Sequence, residues 1–558
     1  MDRVLLKELS IKNFGPIKGD SASLEPFTYF VGRNNAGKSH YLRAIELLLS
    51  PKHPSADEIF KFQNDKAREI IIEGTFEGVQ NFAASVTKSN HKEAIEAAIR
   101  GGLLRVVRIL DSQNTDKNVF GVRDGNGEIA NPAGFTGNLL KVLPEPISIV
   151  ATADTVDELK SKGNTAIMKL KKEVLASFLE QLKTKTKEAF AGLNEFLHSD
   201  ELGKRSAELV NFEKELHSEL AGEFADVIPS VEFGLPDEEV IAQEMRLFLD
   251  DGYRSEVEQK GHGLQRATLL ALLRLLARQG ERYRERPAPI FLVGELETFL
   301  HPYAQRLLAN TLSSLVDRYQ IITTTHSPFI IDPKNIVGYR RVIKKTDGSK
   351  SVMPNWKELD LDAVKRHLEW RGNLEGLFGD RIILIEGEHD ENFFEKLRSI
   401  FKIPYPPKKL TLFVKTSGRK KLRTVRDFYL KMGFDDVAVI ADLDCLFAAD
   451  TKQLLEAVGL DSHAADGFRD HIEWTDMGDP SLQYVIRKIQ EKGVPPEFES
   501  AVEKLEGERI FILRHGAPEM YYKEGMGKKL GWAQIEKKDD LNEPGYLETL
   551  INKLLTPE

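Results

Sequence analysis

The residues Gly32-Arg33-Asn34-Asn35-Ala36-Gly37-Lys38-Ser39 fit the G-x-x-x-x-G-K-[ST] pattern and lie between an apolar strand and a helix, as a phosphate loop requires. Glycines let the backbone approach phosphates, while successive amides and the helix N-terminus supply positive potential. Gly32, Asn34, Asn35 and Gly37 would form the cradle, Lys38 would reach the terminal phosphates of ATP, and the Ser39 hydroxyl would bind Mg2+. A second constellation is acidic. The apolar strand 381–385 ends in Glu386-Gly387-Glu388-His389-Asp390, and further on the strand 437–441 delivers Asp442-Leu443-Asp444. If that strand stays extended, alternation puts both aspartates on one side. Hard oxygen ligands at the carboxyl edge of a parallel sheet can hold one or two divalent ions, Mg2+ or Mn2+, against a phosphodiester.

Three segments between these sites carry further candidates. Gly261-His262-Gly263-Leu264-Gln265-Arg266 opens a helix with an apolar stripe of Leu269, Leu270, Leu273 and Leu276, so its first amides can face an anion. The buried strand 289–293 presents Gly294-Glu295-Leu296-Glu297, followed by Phe299-Leu300-His301-Pro302. The strand 321–325 ends in His326-Ser327-Pro328, where His326 could sense a terminal phosphate through a hydrogen bond.

With Leu9-Ser10-Ile11-Lys12-Asn13-Phe14 as an opening strand, these motifs resemble the ABC ATPases related to the recombination and chromosome-maintenance proteins. The resemblance implies that Gly261, Gly263 and Gln265 form a short signature loop gripping the terminal phosphate bound by an opposite protomer, and hence that ATPase domains pair. Aligned from His301-Pro302, Glu295 falls on the acid that polarises water, and Gly294 falls where the magnesium-linked acid should be. Glu295 as base, Glu295 as magnesium ligand, and a helix-capping acid all stay open, as does slow hydrolysis.

The ordered acids resemble the Toprim domain of topoisomerases, primases and certain nucleases. That implies metal roles for Glu386, Asp442 and Asp444, with Asp390 as the additional acid of nuclease versions. An ABC-like domain followed by Toprim resembles the overcoming-lysogenisation-defect (OLD) family over essentially the whole chain. Arg514-His515-Gly516-Ala517-Pro518-Glu519-Met520-Tyr521-Tyr522 resembles that family's acidic segment before an aromatic helix, implying Glu519 as a further ligand; Ala517 replaces a frequent polar residue. A family lysine corresponds to Lys528 or Lys529.

The resemblance implies a metal-dependent DNA endonuclease or nickase gated by an ATPase dimer, acting in prokaryotic antiphage defence. A helicase, a second ATPase or a retron reverse transcriptase with its DNA would be the associated component. The alternative is an ATP-dependent DNA clamp or scaffold with an inactive Toprim domain. Topoisomerase and primase readings fit less well, because no recognised tyrosine-nucleophile domain accompanies the acids and one cysteine cannot build a zinc ribbon.

The elements that must position these residues read as α/β, an ABC-type ATPase domain with a helical insertion followed by a Toprim domain. Strands are expected at 4–11, 27–31, 289–293, 320–325, 381–385 and 437–441, a turn at 13–16, helices after Lys38 and His301 and over 361–369, and a polar, turn-rich stretch at 344–351. The Lys-, Glu-, Leu- and Ala-rich segment 155–223 reads as long amphipathic helices, either a solvated hairpin or a dimerisation arm. The expected division is 1–154 and 224–373 for the ATPase, 155–223 for the insertion, and 374–558 for Toprim and C-terminal elements.

At 558 residues, 41% hydrophobic and 30% charged, with no apolar run near membrane-spanning length, the composition is that of a soluble multidomain protein. No secretion signal is evident, and Cys445 is the only cysteine; both fit the cytoplasm. A net charge of −9 confines any DNA contact to local surfaces. The best such surface is Lys415-Thr416-Ser417-Gly418-Arg419-Lys420-Lys421-Leu422-Arg423 with Arg426, which reads equally as a solvated face.

Overall fold

Short apolar runs bounded by turns make two parallel sheets, because a strand covered on both faces needs apolar side chains at nearly every position. The computed structural model describes residues 3–51, 54–150, 206–220, 246–278, 286–298, 300–406, 409–416, 418, 421–447, 464–474, 480–523 and 531–555, with isolated positions between 173 and 188. In the first parallel sheet, Phe27–Val31 lies between Tyr339–Lys345 and Gln320–Thr325, followed outward by Ile290–Gly294 and Pro146–Val150. Gly348–Val352 closes one edge in antiparallel pairing. The expected turn-rich stretch at 344–351 is therefore corrected to a hairpin whose loop is only Thr346-Asp347. An edge strand tolerates polar residues, so its sequence carries no apolar run.

A second, antiparallel sheet has the order Ile17–Ser23, Leu5–Phe14, Ile70–Glu77, Leu103–Leu110, Val119–Arg123 and Ile129–Ala130. Its opening strand runs through Phe14, which narrows the expected turn at 13–16. Helix Lys38–Leu49 lies between the sheets. Tyr41, Leu42, Ile45 and Leu48 pack with the antiparallel sheet on one side and with Phe30, Ile290, Leu292, Ile322 and Val342 on the other. The alternate residues Tyr29, Val31, Phe291, Val293 and Ile321 face the opposite way, onto helices His262–Arg278 and Pro302–Leu315.

The third sheet is parallel throughout, in the order Thr411–Lys415, Arg381–Ile385, Val437–Asp442, Ile510–Leu513. Alternation again splits the strand 381–385. Ile383 and Ile385 pack beneath helices Glu388–Phe401 and Pro544–Leu555, whereas Ile382 and Leu384 join the apolar cluster that covers the ATPase sheet. That cluster continues through Tyr339, Trp356, Leu368, Leu374 and Leu377, so the apolar packing is unbroken across the expected boundary near Leu374.

Arg341 fastens the two sheets at this junction. Its guanidinium lies 3.6 Å over the Phe434 ring and donates to the carbonyls of Gly433 and Gly379. Burial pulls its pKa down from the usual arginine range. The insertion 155–223 lies outside the described residues except for helix Ala207–Leu220 and a few positions. Among the described residues, no helix is long and apolar enough to cross a membrane.

Replacing Arg341 by alanine removes both the stacking and the carbonyl contacts and leaves Gly433 and Gly379 unpaired at a covered seam. The expected cost is about 2–4 kcal/mol, read as a lower denaturation midpoint. An unchanged midpoint would show that Arg341 does not join the sheets.

Candidate functional site

At the first parallel edge, the chain leaves Phe27–Val31 and wraps back before helix Lys38–Leu49. Gly37 has φ 105°, and a Cβ there would lie 2.9 Å from Pro16 Cγ and 3.0 Å from Ser349 Oγ. A Cβ at Gly32 would run into the Val342 carbonyl oxygen. Asn34, Asn35 and Ser39 are exposed, so the cradle's polar side chains are open to a ligand. Lys38 is buried, with Nζ donating to the Arg33 carbonyl at 3.1 Å and sitting 2.7 Å from His326 Nε2. Burial lowers the Lys38 pKa, against the opposing pull of Glu295 and Glu297.

The ends of the neighbouring strands converge on the same point. Glu295 has φ 48°, its amide donates to the Thr324 carbonyl at 2.9 Å, and its carboxylate lies 3.4 Å from His326 Nε2. That histidine contact holds Glu295 below the usual carboxylate range despite partial burial. Gly294 stands directly opposite Thr324 in the register. Thr324 is fully buried, and its hydroxyl has no hydrogen-bond partner among the described residues. The place expected for the magnesium-linked acid is thus flanked by an unsatisfied hydroxyl. The backbone cradle, Lys38 and Ser39 fit the phosphates of a nucleotide, whereas the carboxylate set for its magnesium is short by one.

Glu297 is a residue whose role the sequence did not disclose. It is buried, and its Oε1 accepts from the His326 amide at 2.8 Å and from the Thr325 hydroxyl at 2.6 Å. It therefore fixes the backbone that aims His326 at Lys38. Its only sequence signal is its place two residues after Glu295. In the expected signature loop, Gly261 precedes helix His262–Arg278 and Gly263 lies within its first turn. Gln265 is buried, with its amide donating to the Lys260 carbonyl at 2.9 Å, so in this structure its side chain closes the helix start from within.

The acids gather at the carboxyl edge of the third sheet. Glu386 follows Arg381–Ile385, Asp442 ends the adjacent Val437–Asp442, and Glu519 lies in the turn Pro518–Tyr521 beyond the next strand, Ile510–Leu513. One expectation is corrected here. The chain coils into a 3-10 turn over Leu443–Leu446, so strand alternation does not align Asp442 with Asp444. The segment holding Glu519 is also a short 3-10 turn, opened by Pro518.

Asp444 nonetheless remains one of four acids, with Glu386, Asp390 and Glu519, whose fields reach Asp442. Burial and then this crowd push the Asp442 carboxyl up to about 9. Asp390 is also raised, chiefly by burial, although it accepts the Gly387 amide at 2.9 Å as a helix cap. Among the described residues, no three acid, histidine or cysteine side chains are drawn together closely enough to form a finished metal cage. The donor set is nevertheless that of a hard divalent cation, whose charge would relieve the repulsion around Asp442.

His389 Nε2 lies 2.9 Å from the Tyr522 hydroxyl and 3.9 Å from Glu519, placing two further polar side chains on this edge. Cys445 Sγ lies 3.7 Å from Glu386 Oε1. In the basic stretch, Lys415 pairs with Glu391 at 3.1 Å, Arg423 with Asp427 at 3.7 Å, and Arg426 with Glu508 at 3.6 Å. Ser417, Arg419, Lys420, Lys528 and Lys529 lie outside the described residues.

A phosphate loop at one parallel edge, joined through a common apolar cluster to a second parallel sheet with an acidic edge, defines an α/β protein with an ABC-type ATPase fold. The chain matches the family described as AAA ATPase domain over residues 5–104 and 150–331, just over half its length. It is 27% identical over 463 residues to the Old nuclease of Escherichia phage P2, covering 79% of this chain and 78% of that protein. It is 24% identical over 413 residues to the OLD nuclease of Thermus scotoductus, covering 69% and 72%. It is also 24% identical over 418 residues to Endonuclease GajA of Bacillus cereus, covering 70% and 67%. The chain belongs to the AAA ATPase domain family, and its similarity to these nucleases supports the OLD resemblance.

Replacing Glu297 by alanine should release the His326 backbone and weaken ATP binding about 10-fold, or roughly 1.4 kcal/mol, with ADP affinity unchanged in calorimetric titrations. Equal effects on both nucleotides would show that Glu297 is not aiming His326 at the terminal phosphate.

Asp442→Asn makes a pH-dependent test. An acid with a raised folded pKa costs stability progressively from its unfolded value, near ~4, up to the folded value. In metal-free buffer the asparagine variant should therefore match wild type near pH 4 and exceed it increasingly toward pH 9, by on the order of 1 kcal/mol or more. A constant difference across that range in denaturant titrations would contradict the acid crowding.

Proposed function

We propose that this protein is an ATP-controlled, metal-dependent DNA endonuclease or nickase, with a Toprim-type reaction centre at Glu386, Asp390, Asp442, Asp444 and Glu519. The observation that carries the reading is the origin of these acids. Three of them follow three adjacent parallel strands and end on one edge. Nuclease relatives and the ATPase family match support the coarser assignment to ATP-dependent nucleases.

In this reading Glu386, Asp442 and Asp444 are the principal ligands, and Asp390 and Glu519 complete the set. Bound divalent ions would supply Lewis acidity toward a DNA phosphodiester and an activated water. The side chains themselves fix where that charge accumulates and exclude anions until it is neutralised. Lys415, beside Ile385 at the end of the neighbouring strand, would steer the DNA backbone toward the edge, together with the rest of 415–426.

ATP would bind between paired ATPase domains, each phosphate loop facing the other protomer's Gly261–Gln265 segment. With Gly294 at the acid position, the nucleotide serves chiefly to select a conformation, and Glu295 is the group available to polarise water. Antiphage defence, a cytoplasmic location, the 1–154, 155–223, 224–373 and 374–558 domain division, and a helicase, second ATPase or retron reverse-transcriptase partner belong to the same proposal.

One observation favours a second reading, an ATP-dependent DNA clamp or scaffold. The acids are gathered without forming a closed ligand group among the described residues. Supercoiled and single-stranded DNA incubated with the purified protein, with Mg2+ or Mn2+ over a range of ATP concentrations, separates the two. Cleavage is expected, with a loss on the order of 100-fold or more in Glu386→Ala and Asp442→Ala. Binding without cleavage under every condition supports the scaffold, and undiminished cleavage by either variant overturns the site.

A further inference from the structure

The acid edge leaves the opposite ends of the same strands unexplained. There, between residues 32–36 of the phosphate loop and the floor of the third sheet, lies a cavity of about 470 Å³. It is lined by residues 32–36 with the end of Tyr339–Lys345, and by Phe378, Gly379, Asp380, Asp435 and Asp436. The volume lies in the range of small-molecule sites, roughly 300–1,000 Å³.

The charges around it are not all committed. Arg341 is buried in its carbonyl and ring contacts. Asp436 is held by Arg381 at 2.5 Å and by Arg509 at 3.3 Å, and Asp380 accepts the Leu410 amide at 2.8 Å and pairs with Arg33 at 3.6 Å. Lys344, Lys345 and Lys409 remain: all three line the cavity, are exposed, and have no ion-pair partner among the described residues. The partly exposed ring of Phe378 and the exposed carboxylate of Asp435 also line it.

We propose that this cavity is a second ligand site, sharing residues 32–36 with the phosphate loop but not lined by Gly37, Lys38 or Ser39, and that it takes a free nucleotide. The three lysines would hold its phosphates, the Phe378 ring would pack against its base, and Asp435 would accept from a base N–H. A nucleotide meets all three features, whereas inorganic phosphate meets only the first.

The position also excludes a direct part in chemistry at the acids. The strand 381–385 separates Asp380 from Glu386 by about 20 Å at ~3.3 Å per residue. Its role is therefore linkage. A ligand phosphate beside Arg33 competes with Asp380 for a side chain of the phosphate loop itself, so occupancy of the cavity and of the cradle are thermodynamically coupled.

The test is equilibrium dialysis of the full chain with labelled ATP. Wild type should bind two ATP per chain and Lys38→Ala one, since that substitution disables only the cradle. Adding Lys344→Glu and Lys409→Glu to Lys38→Ala should weaken the remaining site about 10-fold or more. The same charge reversals in a wild-type background should leave one ATP bound, which also reports that the chain is folded.

Inorganic triphosphate should compete more weakly than ATP at the site left in Lys38→Ala, and a short oligothymidylate should not compete. One ATP per wild-type chain, unchanged affinity after charge reversal, or competition by the oligonucleotide equal to that by ATP would each overturn the proposal. Because the readout is binding, it is independent of whether the acid edge cleaves DNA.

Discussion

A strand buried on both faces can offer chemistry only at its ends, and this constraint organises the molecule. Side chains along 27–31, 290–293 and 381–385 are committed to packing, so polar groups appear where the chain leaves the sheet. Lys38, Glu295 and His326 meet beyond one parallel edge, while Glu386, Asp442 and Glu519 meet beyond another. Each centre is assembled from segments far apart in sequence that share only a neighbouring place in a sheet.

The two edges are tied together by packing. The face of the third sheet carrying Ile382 and Leu384 shares its apolar cluster with the ATPase sheet, and Arg341 is clasped at the seam. A shift of one sheet against the other must therefore repack a common interior, which favours discrete arrangements over gradual tilt. Nucleotide can bias such arrangements only through contacts that differ between them. Two contacts lie where such a difference can act: the Lys38–His326 contact and the Arg33–Asp380 pair.

Much of this was legible in sequence, because phosphate loops and strand-end acids impose local residue types. Gly32, Gly37, Lys38 and the apolar runs before Gly294, His326, Glu386 and Asp442 revealed both edges. The hairpin of Tyr339–Lys345 and Gly348–Val352 was hidden because an edge strand needs no apolar run. The coil at Leu443–Leu446 was missed because spacing alone cannot say where a strand stops. Glu297 was named without a role, since its partners Thr325 and His326 are distant in sequence and their contact exists only once two strands lie side by side. Arg341 was silent for the same reason: its ring and carbonyl partners come from the other sheet.

The acid edge of the third sheet, proposed as a metal-dependent reaction centre, can be probed by anomalous diffraction from Mn2+-soaked crystals of a preparation shown to cleave DNA. A peak is expected within coordination distance, about 2.0–2.6 Å, of carboxylate oxygens from Glu386 and Asp442. A cleaving preparation whose manganese binds elsewhere and leaves that edge without a peak would contradict it.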